Sequence, residues 1–136
     1  MAIEPLDFLD SAKSCIMSGK EMDWRNASSR AYYAAYHQSA RMANSLCRLH
    51  PRCNEKKGSH ERLICHINYS GIDRLKVIAR LLDQCKTRRV IADYEIDNNF
   101  NKGVAEMQCY EVDRIFKKIS HIMADFEAKA SKDGKI

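Results

Sequence analysis

The chain has 136 residues, of which 45% are hydrophobic and 30% are charged, and its 23 basic and 18 acidic side chains give a net charge of +5. This composition excludes a disordered polar tail, and the length suits one domain with its own core. No apolar run approaches the roughly 18 to 20 residues that cross a bilayer, and the segment MAIEPLDFLD carries acids where a signal peptide has basic residues. We therefore expect a soluble cytoplasmic protein without a membrane partner, and we interpret all six cysteines as thiols.

The first half of the chain predicts two helices. The first carries a short apolar stripe at helical spacing, made of Leu6, Leu9, Ala12 and Ile16. Gly19 can end this helix, and Asp23 can cap a second helix that runs over about 24–49. Pro51 closes the second helix, because proline lacks the backbone N–H that a helix needs.

The second half predicts a short helix through residues 60–67, a longer one over 73–94 after Gly71, and a long final helix. The final helix has the clearest apolar stripe, Ala105, Cys109, Val112, Phe116, Ile119, Met123 and Phe126. Short polar loops join these elements, so the fold class is all-α, with at least about 60% helix, no sheet and an antiparallel bundle of four to five helices. Residues 1–130 form one domain, and residues 131–136 form a flexible tail.

Several common functional sites are missing from the sequence. Five scattered glycines cannot build a phosphate-binding loop or a dinucleotide fingerprint, and no glutamate is followed three residues later by the histidine of a di-iron site. The cysteines and histidines of residues 47–66 lack the paired spacing of compact zinc sites. We expect no metal and no cofactor.

The most unusual segment lies in the second predicted helix, where a polar stripe consists of Asn26, Arg30, Tyr33, His37 and Arg41. Arg30 and His37 are two turns apart, about 10 Å along the axis. A histidine can move protons to and from ribose and phosphate oxygens, and an arginine can neutralise charge that develops on the phosphate, so the pair suits metal-independent cleavage of RNA. Alternatively, His37 packs in a core or interface and Arg30 is solvated or ion-paired.

Three separated motifs carry a resemblance to a known family: S-R-A-Y-Y-A-A-Y-H at 29–37, G-S-H at 58–60 and R-V-I-A-D-Y at 89–94. Together they resemble the small stand-alone prokaryotic branch of the HEPN superfamily, over roughly residues 5–130. The resemblance implies a helical bundle that commonly homodimerises. Many HEPN proteins are metal-independent endoribonucleases of toxin–antitoxin, phage-defence or RNA-processing systems, often encoded beside a minimal nucleotidyltransferase.

The HEPN signature is an arginine, four to six residues, and then a histidine, which Arg30 and His37 fit with six residues between them. The resemblance thus implies that this pair is catalytic and that RNA, a second copy of the chain and a nucleotidyltransferase-type antitoxin are partners. Supporting or RNA-binding roles fall to Asn26, Tyr33, Arg41 and His60, although His60 suits packing equally well.

Arg89 and Asp93, spaced i, i+4, are interpreted as a partly buried structural ion pair. Two other functions remain open. One is a non-catalytic HEPN module that binds RNA, a nucleotide or a nucleotidyltransferase, and the other is a helical adaptor whose tyrosines and arginines bind protein.

Overall fold

The computed structural model of the protein describes residues 2–48, 50–55 and 58–133. Its elements are α1 (Pro5–Ile16), α2 (Glu21–Leu46), a 3-10 turn (Pro51–Glu55), α3 (Ser59–Asn68), α4 (Asp73–Tyr94) and α5 (Lys102–Asp133). Helix accounts for 83% of the described residues, and none of them is in a strand. The predicted all-α bundle of four to five helices is confirmed. In the described ranges, no helix has the length and apolar character that crossing a membrane requires.

The second helix lies at the centre of the bundle and packs against α1, α3, α4 and α5. Its contact surface is built from small side chains, and four of its alanines are fully buried: Ala27, Ala31, Ala34 and Ala35. Because an alanine projects only a methyl group, neighbouring helices can approach α2 closely without voids. This packing explains why a helix of low average hydrophobicity is nevertheless the core of the fold.

Both ends of α2 lie about three residues before their predicted positions. The helix begins at Glu21 after Lys20, so the prediction that Asp23 is the cap is wrong. The Asp23 carboxylate instead accepts a hydrogen bond from the Ser18 hydroxyl in the preceding loop. At the other end the backbone becomes extended at Cys47, which lets the following segment turn back towards α3. The predicted continuation to residue 49 is therefore wrong through residue 48, and residue 49 lies outside the described part.

The long final helix buries a slightly different face from the one predicted. Ala105, Cys109, Val112 and Ile119 are buried, as the stripe implied, whereas the aromatic and methionine members further along are only partly buried. Ile115 and Ile122 lie in the core in their place. The helix also continues to Asp133, so the predicted boundary at residue 130 falls inside it. The rest of the predicted tail, residues 134–136, lies outside the described residues.

Two of the six cysteines form a disulfide bond, Cys53 to Cys65. The interpretation of every cysteine as a thiol is therefore wrong for this pair. The reason is tertiary: the 3-10 turn folds onto α3 and brings the two Cα atoms to 5.6 Å, within the range that a disulfide spans. Four cysteines remain free, Cys15, Cys47, Cys85 and Cys109. Burial raises the pKa of the Cys85 thiol to about 12 and that of Cys109 to about 11, which keeps both protonated.

A buried arginine closes the C-terminal end of α4. Arg25 is only 5% exposed, and its guanidinium donates hydrogen bonds to the carbonyls of Ala92 at 2.9 Å and Glu95 at 3.2 Å. It also bonds to the carbonyl of Asn98 and lies 5.4 Å from the centre of the Phe100 ring. A helix C-terminus exposes carbonyls without partners and carries a partial negative charge. The Arg25 guanidinium donates hydrogen bonds to these carbonyls, and its positive charge offsets the partial negative charge.

We expect Arg25→Ala to lower the free energy of unfolding by about 2 to 3 kcal/mol, because the variant leaves these carbonyls without their charged donor. Urea denaturation followed by circular dichroism measures the change. Arg30→Ala is the matched control, since Arg30 is exposed on the same helix and its removal should change stability by less than about 0.5 kcal/mol. Equal stability of the two variants would contradict this role for Arg25.

Candidate functional site

Aromatic and imidazole rings from two helices converge beside an arginine of a third helix. The members are Tyr32, Tyr33, Tyr36 and His37 of α2, His60 of α3 and Arg89 of α4, and we call them the histidine–tyrosine cluster. The spacing of the α2 members places them on adjoining parts of one helix side. The His60 ring centre lies 4.5 Å from that of Tyr36 and 5.5 Å from that of Tyr32. The first turn of α3 thus adds its histidine to the α2 rings.

His60 is anchored by a buried hydroxyl. The Tyr32 side chain is fully buried, and its oxygen lies 2.6 Å from His60 Nδ1. Burial raises the pKa of Tyr32 well above its ordinary value, so the hydroxyl keeps its proton. We assign the Tyr32 hydroxyl as donor to Nδ1, because a buried hydroxyl requires a partner for its hydrogen. Neutral His60 then carries its own proton on Nε2, where it can donate to a ligand.

Electrostatics also favour the neutral form of His60. Burial lowers the pKa of His60, and the positive charges of Arg89 and Lys86 lower it further. Lys86 is itself paired with Glu61 of α3, with 3.7 Å between Nζ and Oε1. Near neutral pH, His60 is therefore an uncharged hydrogen-bond donor.

Arg89 supplies the fixed positive charge of the cluster. Its guanidinium carbon lies 5.4 Å from the ring centre of Tyr32 and 5.8 Å from that of Tyr33, distances at which a cation is attracted to an aromatic face. Nη1 lies 3.6 Å from an oxygen of Asp93, which also accepts a hydrogen bond from Ser29 at 3.2 Å. The Arg89 side chain is only 11% exposed, and its buried Nε has no hydrogen-bond partner among the described residues. The ion pair thus belongs to the cluster and does not stand apart from it.

His37 is the solvent-exposed member. Its ring rests against Phe8 of α1, with 5.2 Å between ring centres, and against Tyr36 at 5.3 Å. Tyr33 also contacts both imidazoles, at 6.4 Å from His37 and 5.9 Å from His60. The two histidines therefore share two tyrosine neighbours, one histidine open to solvent and the other bonded to the interior.

The other members of the predicted polar stripe lie outside the cluster. Arg30 is exposed on α2 and forms no ion pair within residues 2–48, 50–55 and 58–133. Its Cα lies about 10 Å along the axis from that of His37, so the structure does not join the two side chains. Asn26 is also exposed. Arg41 forms an exposed ion pair with Glu4, which precedes α1.

Sequence reasoning missed Tyr32, Tyr36 and Lys86 as members or neighbours of the site. The two tyrosines are spaced i, i+4 and share a helix face, which was a usable signal. Lys86 gave no such signal, because its approach to His60 depends on how α4 packs against α3.

The described residues contain no group of three or more histidines, cysteines, aspartates and glutamates arranged to hold a metal ion. The cysteines and the histidine that lie closest together in the sequence have other partners. Cys53 and Cys65 form a disulfide with each other, and His60 is hydrogen-bonded to Tyr32. The chemistry available in the cluster is therefore that of two imidazoles, a guanidinium and phenol rings.

Comparisons of this chain with protein-family models, with curated proteins and with solved structures found no match.

The lowered pKa of His60 makes a prediction about stability. The folded protein binds the proton that charges the His60 ring less tightly than the unfolded chain does. The contribution of neutral His60 to the free energy of unfolding is therefore fully present above about pH 6.5, and it is lost as the pH falls through the folded-state pKa. Burial lowers the pKa of His66 too, which adds in the same direction. We expect the free energy of unfolding to fall between pH 7.5 and about pH 5, and His60→Asn to reduce that fall.

Urea denaturation at both pH values measures this difference. His66→Asn is the companion variant and should remove only its own share. An undiminished pH dependence in His60→Asn would show that His60 is not held neutral by the fold.

Proposed function

We propose that this protein is a metal-independent endoribonuclease of the HEPN type. The observation that carries the proposal is the meeting of an exposed imidazole, His37, and an anchored neutral imidazole, His60, around shared tyrosine rings. The guanidinium of Arg89 lies against two of those rings. Cleavage of a phosphodiester next to a ribose 2′-hydroxyl requires proton transfer and stabilisation of a more negative phosphate, and these groups supply both.

The two histidines suit different steps. His37 is open to solvent, so it can accept the proton of a ribose 2′-hydroxyl. His60 remains neutral and presents Nε2–H, which can donate a hydrogen bond to a phosphate oxygen. The 2′-oxygen attacks phosphorus, the bond to the 5′-oxygen breaks, and that oxygen takes up a proton from water, giving a 2′,3′-cyclic phosphate and a 5′-hydroxyl.

The arginines would act at different distances from the reaction. Arg89 contributes a permanent positive charge beside His60, which favours an anionic ligand at the cluster. Arg30 and Asn26 are exposed nearer the start of α2 than His37, and there they can contact the RNA backbone or bases next to the cleaved bond. In a homodimer of the kind that the HEPN resemblance implies, the Arg30 and His37 side chains of two chains would meet and supply the proximity that one helix lacks.

The biological setting that we propose follows from the same resemblance. A metal-independent ribonuclease of this size suits the toxin of a toxin–antitoxin or phage-defence system, with a nucleotidyltransferase-type antitoxin as its partner. The basic balance of the chain, at a net charge of +5, suits RNA as the target.

A non-catalytic module that binds RNA, a nucleotide or a nucleotidyltransferase is the second candidate. The observation that favours it is the confinement of Arg89, which is 11% exposed and close to Asp93. A cation held in this way stabilises the fold and leaves less of its charge for a transition state. Binding without cleavage distinguishes this candidate from the first.

The test is cleavage of single-stranded RNA in the presence of EDTA. We expect the wild type to cleave and His37→Ala to lose about a hundredfold or more in rate, because a general acid–base group has been removed. Arg30→Ala and Arg30→Lys should also lose activity if Arg30 clamps a phosphate, since an ammonium does not reproduce a bidentate contact.

The matched control is His121→Ala, at an exposed histidine of α5 outside the cluster. It should keep wild-type activity. Equal cleavage by folded His37→Ala and wild type would rule out the ribonuclease, and wild-type RNA binding without cleavage would favour the second candidate.

A further inference from the structure

One covalent bond ties the segment after α2 to the helix that carries His60. Cys53 lies in the 3-10 turn, and its disulfide partner Cys65 lies in α3. Cys65 follows His60 by five residues, about 7.5 Å along the helix axis. The disulfide and the candidate site therefore share one short rigid element.

Tertiary contacts decide whether α3 forms and where it lies. The helix has 10 residues, fewer than the roughly 12 to 15 at which an isolated helix becomes even marginally stable. Near its start it is held to α2 by the bond between His60 and Tyr32. Near its end it is held to the preceding segment by the disulfide, and beyond it the Tyr69 ring stacks on His50 at 4.9 Å.

We propose that the Cys53–Cys65 disulfide is a redox switch that controls the position of His60. In the oxidised protein the bond holds α3 against the 3-10 turn, so His60 stays within reach of Tyr32. A thiol reductant, such as a dithiol or a low-molecular-weight thiol, breaks the bond and lets α3 loosen. The effect on RNA cleavage rests on the proposed function, whereas the movement of His60 does not.

The surroundings of the disulfide give a reductant a route to it. Cys65 lines an open groove of about 560 Å³ between α3 and α4, in which the charges of Arg80 and Lys86 are balanced by the carboxylates of Glu61 and Asp83. The groove is large enough to admit a small thiol, whose thiolate form attacks a disulfide. Cys65 is 7% exposed and Cys53 is fully buried, so the attack falls on Cys65.

Reduction of the Cys53–Cys65 disulfide takes two thiol–disulfide exchange steps. A reductant thiolate bonds to Sγ of Cys65, the Cys53–Cys65 bond breaks, and its electron pair leaves on Sγ of Cys53, which takes up a proton. A second reductant thiolate attacks the reductant sulfur of the mixed disulfide, and Cys65 leaves and takes up a proton. The protein gains two thiols, and the reductant becomes a disulfide.

Three of the four remaining cysteines are held as thiols by burial. Burial raises the pKa of Cys47, Cys85 and Cys109, so few of these groups are thiolates near neutral pH. Cys47 is the natural control, because it lies in the same connecting segment and is not part of the bond.

The experiment compares the full chain after oxidation with diamide and after reduction with dithiothreitol. Alkylation under denaturing conditions should count four thiols in the oxidised protein and six in the reduced protein. Nuclear magnetic resonance of the histidine rings should show that reduction raises the pKa of His60 towards its ordinary value. The helical circular dichroism signal should remain.

The double variant Cys53→Ser/Cys65→Ser should match the reduced protein with or without reductant, and Cys47→Ser should keep the wild-type response. RNA cleavage should fall by up to roughly a hundredfold on reduction, as expected when a group of the site is displaced. Six thiols after oxidation, or His60 signals that reduction leaves unchanged, would overturn the switch. Failure to cleave RNA in either state would overturn only the proposed function, since the signals of His60 still report the movement.

Discussion

The close packing of other helices around α2 is the constraint on which the rest of the structure depends. Its fully buried alanines let α1, α4 and α5 approach closely, and α3 covers a further part of its surface. The exposed side chains of this helix, which include Asn26, Arg30 and His37, lie on the side that these neighbours leave open. On that side α3 and α4 bring His60 and Arg89 next to Tyr33. The candidate site is thus a consequence of how the core is packed.

Three buried polar side chains of this core have specific partners in other elements. The fully buried amide of Gln108 donates to the backbone carbonyls of Ser28 at 3.3 Å and Cys85 at 2.8 Å, which links α5 to α2 and α4. Arg25 and the bond between Tyr32 and His60 make similar links between elements. Because a buried polar group without a partner is unfavourable, each of these bonds disfavours alternative packings of the same helices. These hydrogen bonds define the relative positions of the helices more narrowly than apolar contacts alone would.

The cluster combines this rigidity with one weakly supported element. Tyr32 and Arg89 belong to long helices, and their positions are set by extensive packing. His60 belongs to the shortest of the described α-helices, which depends on the disulfide and on contacts with its neighbours. Burial and the cations Arg89 and Lys86 lower the pKa of the same histidine. Changes in α3 would therefore alter the chemistry of the cluster before they alter the bundle.

Local periodicity in the sequence was sufficient to predict the helices, because the apolar spacing of a helix and its breakers such as Pro51 act over a few residues. It also placed Tyr33 and His37 on one helix face. Tertiary packing decided the rest. Whether Cys53 meets Cys65, and whether an arginine near His60 is Arg30 or Arg89, depends on how elements distant in the chain come together. Such contacts follow from the fit of side chains between helices, and the spacing of residues along one helix carries no record of it.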